Sequence, residues 1–182
     1  MKNCLLFIFA LYIFTGCTLL VAKGDYFTRD TIPPVNDEMA TIFVYRTGYY
    51  RTGIEHGIVN MFLNEDIIFG AVHNGYTWFY LKPGNYEFKS SWTVATKPLF
   101  EGGLFDDKKL ELTVEKAKRY YVSYQVWDSS SQSTYSRFGL IGKMLEPKKE
   151  DVYVTLTEES EERGIRQLED CRLQKNNLNK MN

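Results

Sequence analysis

Cysteine and histidine are scarce in this chain, with three of the first and two of the second in 182 residues, and the shortage removes whole classes of chemistry. Cys4, Cys17 and Cys171 stand far apart, and His56 and His73 form no His-x-x-x-His pair, so no sequence-local set for a tetrahedral metal exists. His73, just before Asn74-Gly75, reads as a turn histidine. Charge of one sign is lacking too. Lys and Arg number 22 against 23 Asp and Glu, for a net charge of -1, and no basic run supplies the footprint of nucleic-acid binding. There is no Gly-x-Ser-x-Gly elbow, no glycine-rich phosphate loop and no dinucleotide fingerprint. Asp106-Asp107 and Glu65-Asp66 are neighbours on chain that reads as extended, where adjacent side chains point to opposite faces and make no acid/base dyad. The chain is therefore expected to be no enzyme and to hold no cofactor or metal. What is present, 44% hydrophobic and 25% charged residues, is the composition of one globular domain.

The first residues carry an address. Met1-Lys2-Asn3, an apolar run from Cys4 to Phe14, and Thr15-Gly16-Cys17 have the charged, apolar and small-residue order of a secretory signal. The run is short of the roughly 20 residues that span a bilayer. Phe14-Thr15-Gly16-Cys17 resembles the bacterial lipobox, in which the cysteine sulfur is acylated and becomes residue one, although Phe14 stands where the pattern usually has Leu. That resemblance implies a signal peptide over 1–16 and a palmitate-bearing membrane anchor at Cys17. Acyl chains contribute about 0.8 kcal/mol per buried CH₂, so several chains hold firmly. Thr18, in place of the Asp that marks inner-membrane retention, implies the outer membrane. Cys4 would leave with the signal, and Cys171 would then have no partner for a disulfide. Residues 17–38, polar and carrying Pro33-Pro34, read as a tether.

From Ala40 onward the period is two. Leu110, Leu112 and Val114 alternate with Glu111, Thr113 and Glu115, and Tyr120, Val122, Tyr124 and Val126 with Tyr121, Ser123, Gln125 and Trp127. Ala40 to Arg46, Gly57 to Leu63, Asp66 to Val72, Tyr76 to Leu81, Asn85 to Trp92, Arg137 to Leu145 and Val152 to Leu156 are further β-branched and aromatic runs. About nine strands follow. Turn residues at Asn64-Glu65, Asn74-Gly75 and Lys82-Pro83-Gly84-Asn85 punctuate them. The expected fold is all-β, an antiparallel β-sandwich of immunoglobulin or transthyretin type over 39–175. Glu158, Glu159, Glu161 and Glu162 followed by Arg163, Arg166, Arg172 and Lys175 predict a short C-terminal helix after Thr157. Ile165, Leu168 and Cys171 fall on its one apolar side, and Gly164 is its weak point. Residues 176–182 are expected to fray.

Ala40-Thr41-Ile42-Phe43-Val44-Tyr45-Arg46, the hairpin about Leu63-Asn64-Glu65, Phe79-Tyr80-Leu81-Lys82-Pro83-Gly84-Asn85-Tyr86, Arg119-Tyr120-Tyr121-Val122 and the acidic closing helix together resemble the exported bacterial lipoproteins known as domain of unknown function 2846. The resemblance runs from about Ala40 to Leu173 and implies fold and address. It transfers no catalytic residue. At the first hairpin this sequence has Asn64-Glu65 where the family commonly has Asn-Gly.

Aromatic residues are abundant, with 13 Tyr, 12 Phe and 3 Trp. Strand rings read as core, whereas those in connections, among them Tyr49-Tyr50, Phe100, Phe105 and Tyr135, can stack on sugars or seat a peptide. Trp92 and Trp127, at the mouths of the two longest connections, are with Tyr135 the candidate binding residues. The expected role is a non-enzymatic, lipid-anchored envelope module binding a protein or glycan. A docking subunit of an envelope-spanning or secretion complex is second, and a hydrolase with a dispersed site third.

Overall fold

Alternating burial along the strands closes two sheets over one another. The computed structural model describes residues 22–48, 57–92, 107–128 and 152–178. Its elements are β1 (Ala40–Gly48), β2 (Val59–Leu63), β3 (Asp66–Ala71), β4 (Gly75–Leu81), β5 (Gly84–Trp92), β6 (Lys108–Val114), β7 (Arg119–Asp128), β8 (Val152–Glu159), α1 (Glu161–Leu168) and β9 (Arg172–Leu173), after a single 3-10 turn at Arg29–Thr31. One sheet has the order β8-β7-β1-β4-β9 and the other β3-β2-β5-β6. The chain is an all-β sandwich with one short C-terminal helix.

Ala40, Ile42 and Val44 of β1, Tyr120, Val122 and Tyr124 of β7, and Phe79 of β4 face Val59, Met61, Phe88, Leu112 and Val114 across the sandwich. The expected alternation holds on β6, where Leu112 and Val114 are buried and Glu111 and Thr113 exposed. A second core lies on the outer face of the five-stranded sheet. Phe43, Tyr45, Tyr76 and Tyr121 pack there under Phe27, Leu168 and Cys171. The Phe43 and Tyr121 rings stack at 5.1 Å, and Phe27 stands edge-on to Phe43 and Tyr76. β1 is thus buried on both faces, which suits its central place in the sheet.

Several features depart from the sequence reading. The sheets are not wholly antiparallel: β1 pairs in parallel with β7, and β4 with β9. The chain reaches β7 after crossing to the second sheet and back twice, and enters it from the end at which β1 begins, since the Ala117 amide in the β6–β7 turn donates to the Met39 carbonyl at 3.1 Å. The helix starts after Ser160, whose side chain accepts from the Arg163 amide, and Glu158 and Glu159 extend β8. At the first hairpin Leu63 still faces Asp66, but only Asn64 of the turn pair has positive φ, 54°. A type I′ turn needs both residues there.

The segment read as a tether is packed in part. The Phe27 amide donates to the Cys171 carbonyl and the Leu173 amide to the Asp25 carbonyl, both at 2.9 Å, and Phe27 and Ala22 are buried. At the other terminus, the Asn176 side chain donates to Thr77 Oγ1 and to the Trp78 carbonyl at 3.1 Å, and the Asn177 amide to the Ile68 carbonyl at 2.7 Å. Residues 176–178 are therefore docked. The expected strand from Arg137 to Leu145 lies outside the described residues.

Gly164 is a packing requirement rather than a weak point. A Cβ there would sit 2.5–2.7 Å from three atoms of Tyr121, so the helix rests with its backbone directly on that ring. Tyr45 Oη donates to Gln167 Oε1 at 2.7 Å and ties the next turn to the sheet.

Candidate functional site

Three long connections leave the described sandwich at one end. β1, β5 and β7 finish there, and β2, β6 and β8 begin there, as the pairings Val59 with Trp92, Ser90 with Lys108 and Asp128 with Val152 show. Residues 49–56, 93–106 and 129–151 join these ends and lie outside the described residues. Loops on a rigid sheet end are where binding functions concentrate.

The floor of that end is built around Arg46. It follows Ala40, Ile42 and Val44 in the inward parity of β1 and is 2% exposed. Its guanidinium donates to the Gly57 carbonyl and, at 3.1 Å, to the Ala71 carbonyl. It lies 5.1 Å from the Trp92 ring centroid and 6.0 Å from that of Tyr124. Burying a cation costs several kcal/mol unless carbonyls and ring faces replace its water, and here both do. Trp92 Nε1 donates to Tyr124 Oη at 2.7 Å, so indole and phenol satisfy one another. Burial pushes the Tyr124 hydroxyl up to about 12. Burial, helped by the Arg46 charge, holds the His73 imidazole down to about 4. His73 is uncharged at neutral pH and a weak base.

A second polar group sits on the outer face. Gln125 Nε2 donates to Ser123 Oγ and, at 2.9 Å, to Glu159 Oε1. Thr157 Oγ1 also donates to Glu159, and Arg163 pairs with it at 3.2 Å. The Glu159 carboxylate is occupied by these donors, and with no histidine beside Ser123 the arrangement fastens α1 to the sheet. Burial and then the Glu159 charge raise the Tyr45 hydroxyl beyond its ordinary range. Among the described residues no group of three or more His, Cys, Asp or Glu could hold a metal ion.

Of the candidate binding residues, Trp92 closes β5 with its ring buried. It lies so close to the backbone that a Cβ at Gly57 would meet it at 2.0 Å. It offers little surface to a ligand and instead carries Arg46. The Trp127 backbone pairs with Tyr153 in β7 and β8, and its side chain lies outside the described residues. Tyr135, Cys17 and His56 lie outside them as well. The sequence reading missed Arg46 and Tyr124. Their signal was parity, because a charged residue stood at a position whose alternation partners were Ile42 and Val44.

The described residues thus form an all-β two-layer sandwich with a buried cation at one end. The chain belongs to the family described as protein of unknown function (DUF2846), whose model matches residues 36–137. That span runs from just before β1 to beyond β7, and leaves β8, α1 and β9 outside. No curated protein matches the chain.

Proposed function

We propose that this protein is an exported, lipid-anchored and non-enzymatic envelope module, held in the outer membrane through Cys17, whose loop-bearing end docks an envelope protein or glycan. The observation that carries the reading is the convergence of the ends of three long connections on one end of the sandwich. The arrangement in which Trp92 and Tyr124 hold Arg46 builds a stiff platform beneath those connections, and among the described residues no nucleophile and base are paired there. Stiffness of this kind lowers the ordering cost of binding. The signal-like run ending at Cys17 supports the address.

Two measurements test it. Palmitate labelling should mark the wild type and not Cys17→Ser, which should also lose its membrane association; unchanged labelling in the variant overturns the anchor. A photo-crosslinking residue placed at Lys108, at the loop-bearing end, should give discrete adducts in cells, and one at Lys116, in the β6–β7 turn, should not. Equal yields from both ends overturn the docking role.

A further inference from the structure

The proline pair of the stretch 17–38 lies across the outer face of the five-stranded sheet, at the end where β1 begins and β4 finishes. Thr41 pairs with Tyr80 on one side and with Arg119 on the other, so the three make one rung of the sheet. All three alternate with the inward residues Ala40, Phe79 and Tyr120 and so point outward. The Tyr80 hydroxyl donates to the Pro34 carbonyl at 3.0 Å, and the Arg119 guanidinium to the Pro33 carbonyl at 3.3 Å. Thr41, between them, is buried. Trp78, the next outward residue on β4, stands edge-on to Tyr80 at 5.6 Å and, like Ile32, is half-buried against the second core.

This is the chemistry that recognises a polyproline II chain. Such a chain makes no internal hydrogen bonds, so its carbonyls are free to accept, and proline brings no N–H of its own. A phenol and a guanidinium on one rung, beside an indole, answer two successive carbonyls and read nothing else of the segment's sequence. Ile32, with φ -64° and ψ 121°, has the extended backbone that a following proline imposes. Neither bond depends on the segment being part of the same chain.

The internal fit leaves a remainder. Arg119 Nε is buried with no hydrogen-bond partner among the described residues, while Nη1 of the same side chain lies 3.7 Å from the Glu161 carboxylate. A buried donor left unanswered is a cost to the fold. The proline pair is held at both ends. Before it, Thr28 and Thr31 bond to one another in the 3-10 turn; after it, the Asn36 side chain accepts from the Glu38 and Met39 amides at 2.9 and 3.0 Å. Pro34 and Val35 between these fixed points are exposed, so the segment can lift away without undoing either.

We propose that Tyr80, Arg119 and Trp78 form a docking shelf for a proline-rich, extended segment of a partner protein, and that Pro33-Pro34 fills the shelf as a built-in competitor. An incoming strand free of the two fixed points can settle a further carbonyl on Arg119 Nε. The shelf is separate from the loop-bearing end and owes nothing to acylation of Cys17, so it stands or falls apart from the function proposed above.

The probe is a fluorescein-labelled peptide of residues 30–37, read by anisotropy against the full chain. In the wild type the internal copy, at an effective concentration on the order of millimolar, should keep binding weak. Pro33→Ser with Pro34→Ser empties the shelf and should tighten binding at least about tenfold. Pro34→Ser alone, at an exposed position, serves if the double variant does not fold. Adding Tyr80→Phe, which removes one hydroxyl, or Arg119→Gln should weaken binding severalfold again, and a peptide with serine for both prolines should not bind. The shelf is overturned by absence of saturable binding to an emptied chain whose urea midpoint shows it folded, or by binding that Tyr80→Phe and Arg119→Gln leave untouched. Equal affinity of the wild type and the emptied chain overturns the built-in competitor. A wild-type chain that dimerises with rising concentration in sedimentation, and loses this with Pro33→Ser and Pro34→Ser, puts a second copy on the shelf and overturns the partner.

Discussion

Replacing Gly164 by alanine sets two physical effects against each other. In an exposed helix the change stabilises by about 0.8–1.0 kcal/mol, because glycine loses more backbone freedom on folding than alanine. Here the new methyl would stand 2.5 Å from Cγ, 2.6 Å from Cδ1 and 2.7 Å from Cβ of Tyr121. The ring cannot move away freely, since it is stacked on Phe43 with only 4° between the planes. Forcing an extra carbon into such a contact costs about 1–3 kcal/mol, and three close atoms place the cost at the upper end. The net expectation is a loss of about 1–2 kcal/mol. Urea denaturation followed by fluorescence reads it as a lower midpoint at unchanged slope. In a Tyr121→Ala background, which removes Cγ and Cδ1 and keeps Cβ, the loss should shrink, and the cycle then measures the ring's share of the contact. A wild-type-background G164A protein as stable as the parent or more so would refute the close approach of α1 to the sheet.

Leu112→Ala should cost about 2–5 kcal/mol because the side chain is 6% exposed within the inner core. Thr113→Ala removes a surface hydroxyl bonded to Asn85 and should cost below about 1 kcal/mol by the same denaturation assay, and equal losses would contradict the register of β6. The imidazole of His73 is held below its unfolded value of 6.5 down to about 4. The unfolded chain then binds more protons between those values, so stability is full above about 6.5 and falls as the pH drops toward 4. His73→Gln should flatten that part of the pH–stability curve, and parallel curves would refute the shift. Burial pushes the Cys171 thiol up to about 12, so iodoacetamide at pH 8 should leave it unmodified in the native protein and alkylate it once urea unfolds the chain. Rapid native alkylation would remove it from the second core.

Strand positions were legible because a half-buried strand writes its two faces into the sequence, as Leu110, Leu112 and Val114 do. Partners were not, since period two assigns a face and not a neighbour, and nothing local announces that β1 lies parallel to β7. The C-terminal boundary failed for a related reason. Glu158 and Glu159 look like first-turn acids of a helix, but Glu159 accepts from Gln125 on the adjacent strand and stays in β8. Phe27 and Asn176 stand in polar stretches of sequence, and their partners, Phe43 and Tyr76 for the first and Thr77 and Trp78 for the second, come from distant strands. At the site, the alternation that marked Ile42 and Val44 as inward also marked Arg46, and a strand that ends on a buried cation was the clue to the platform. Residues such as Trp92 stood out for their size, although the structure gives that ring a supporting role.

The meeting of Asp25–Phe27 with Cys171–Leu173 orders the assembly of the chain in time. Phe27 and Phe43, near the start, complete their hydrophobic contacts only when Leu168 and Cys171, near the end, have arrived. A ribosome delivers the N-terminal residues first, so early strands wait with one face of β1 unsealed until residues 168–171 have emerged. Contacts that span most of the chain also slow the search for the native pairing. Closure of the second core waits on the stretch from Leu168 to Cys171, so a chain truncated before Leu168 would collapse without closing it.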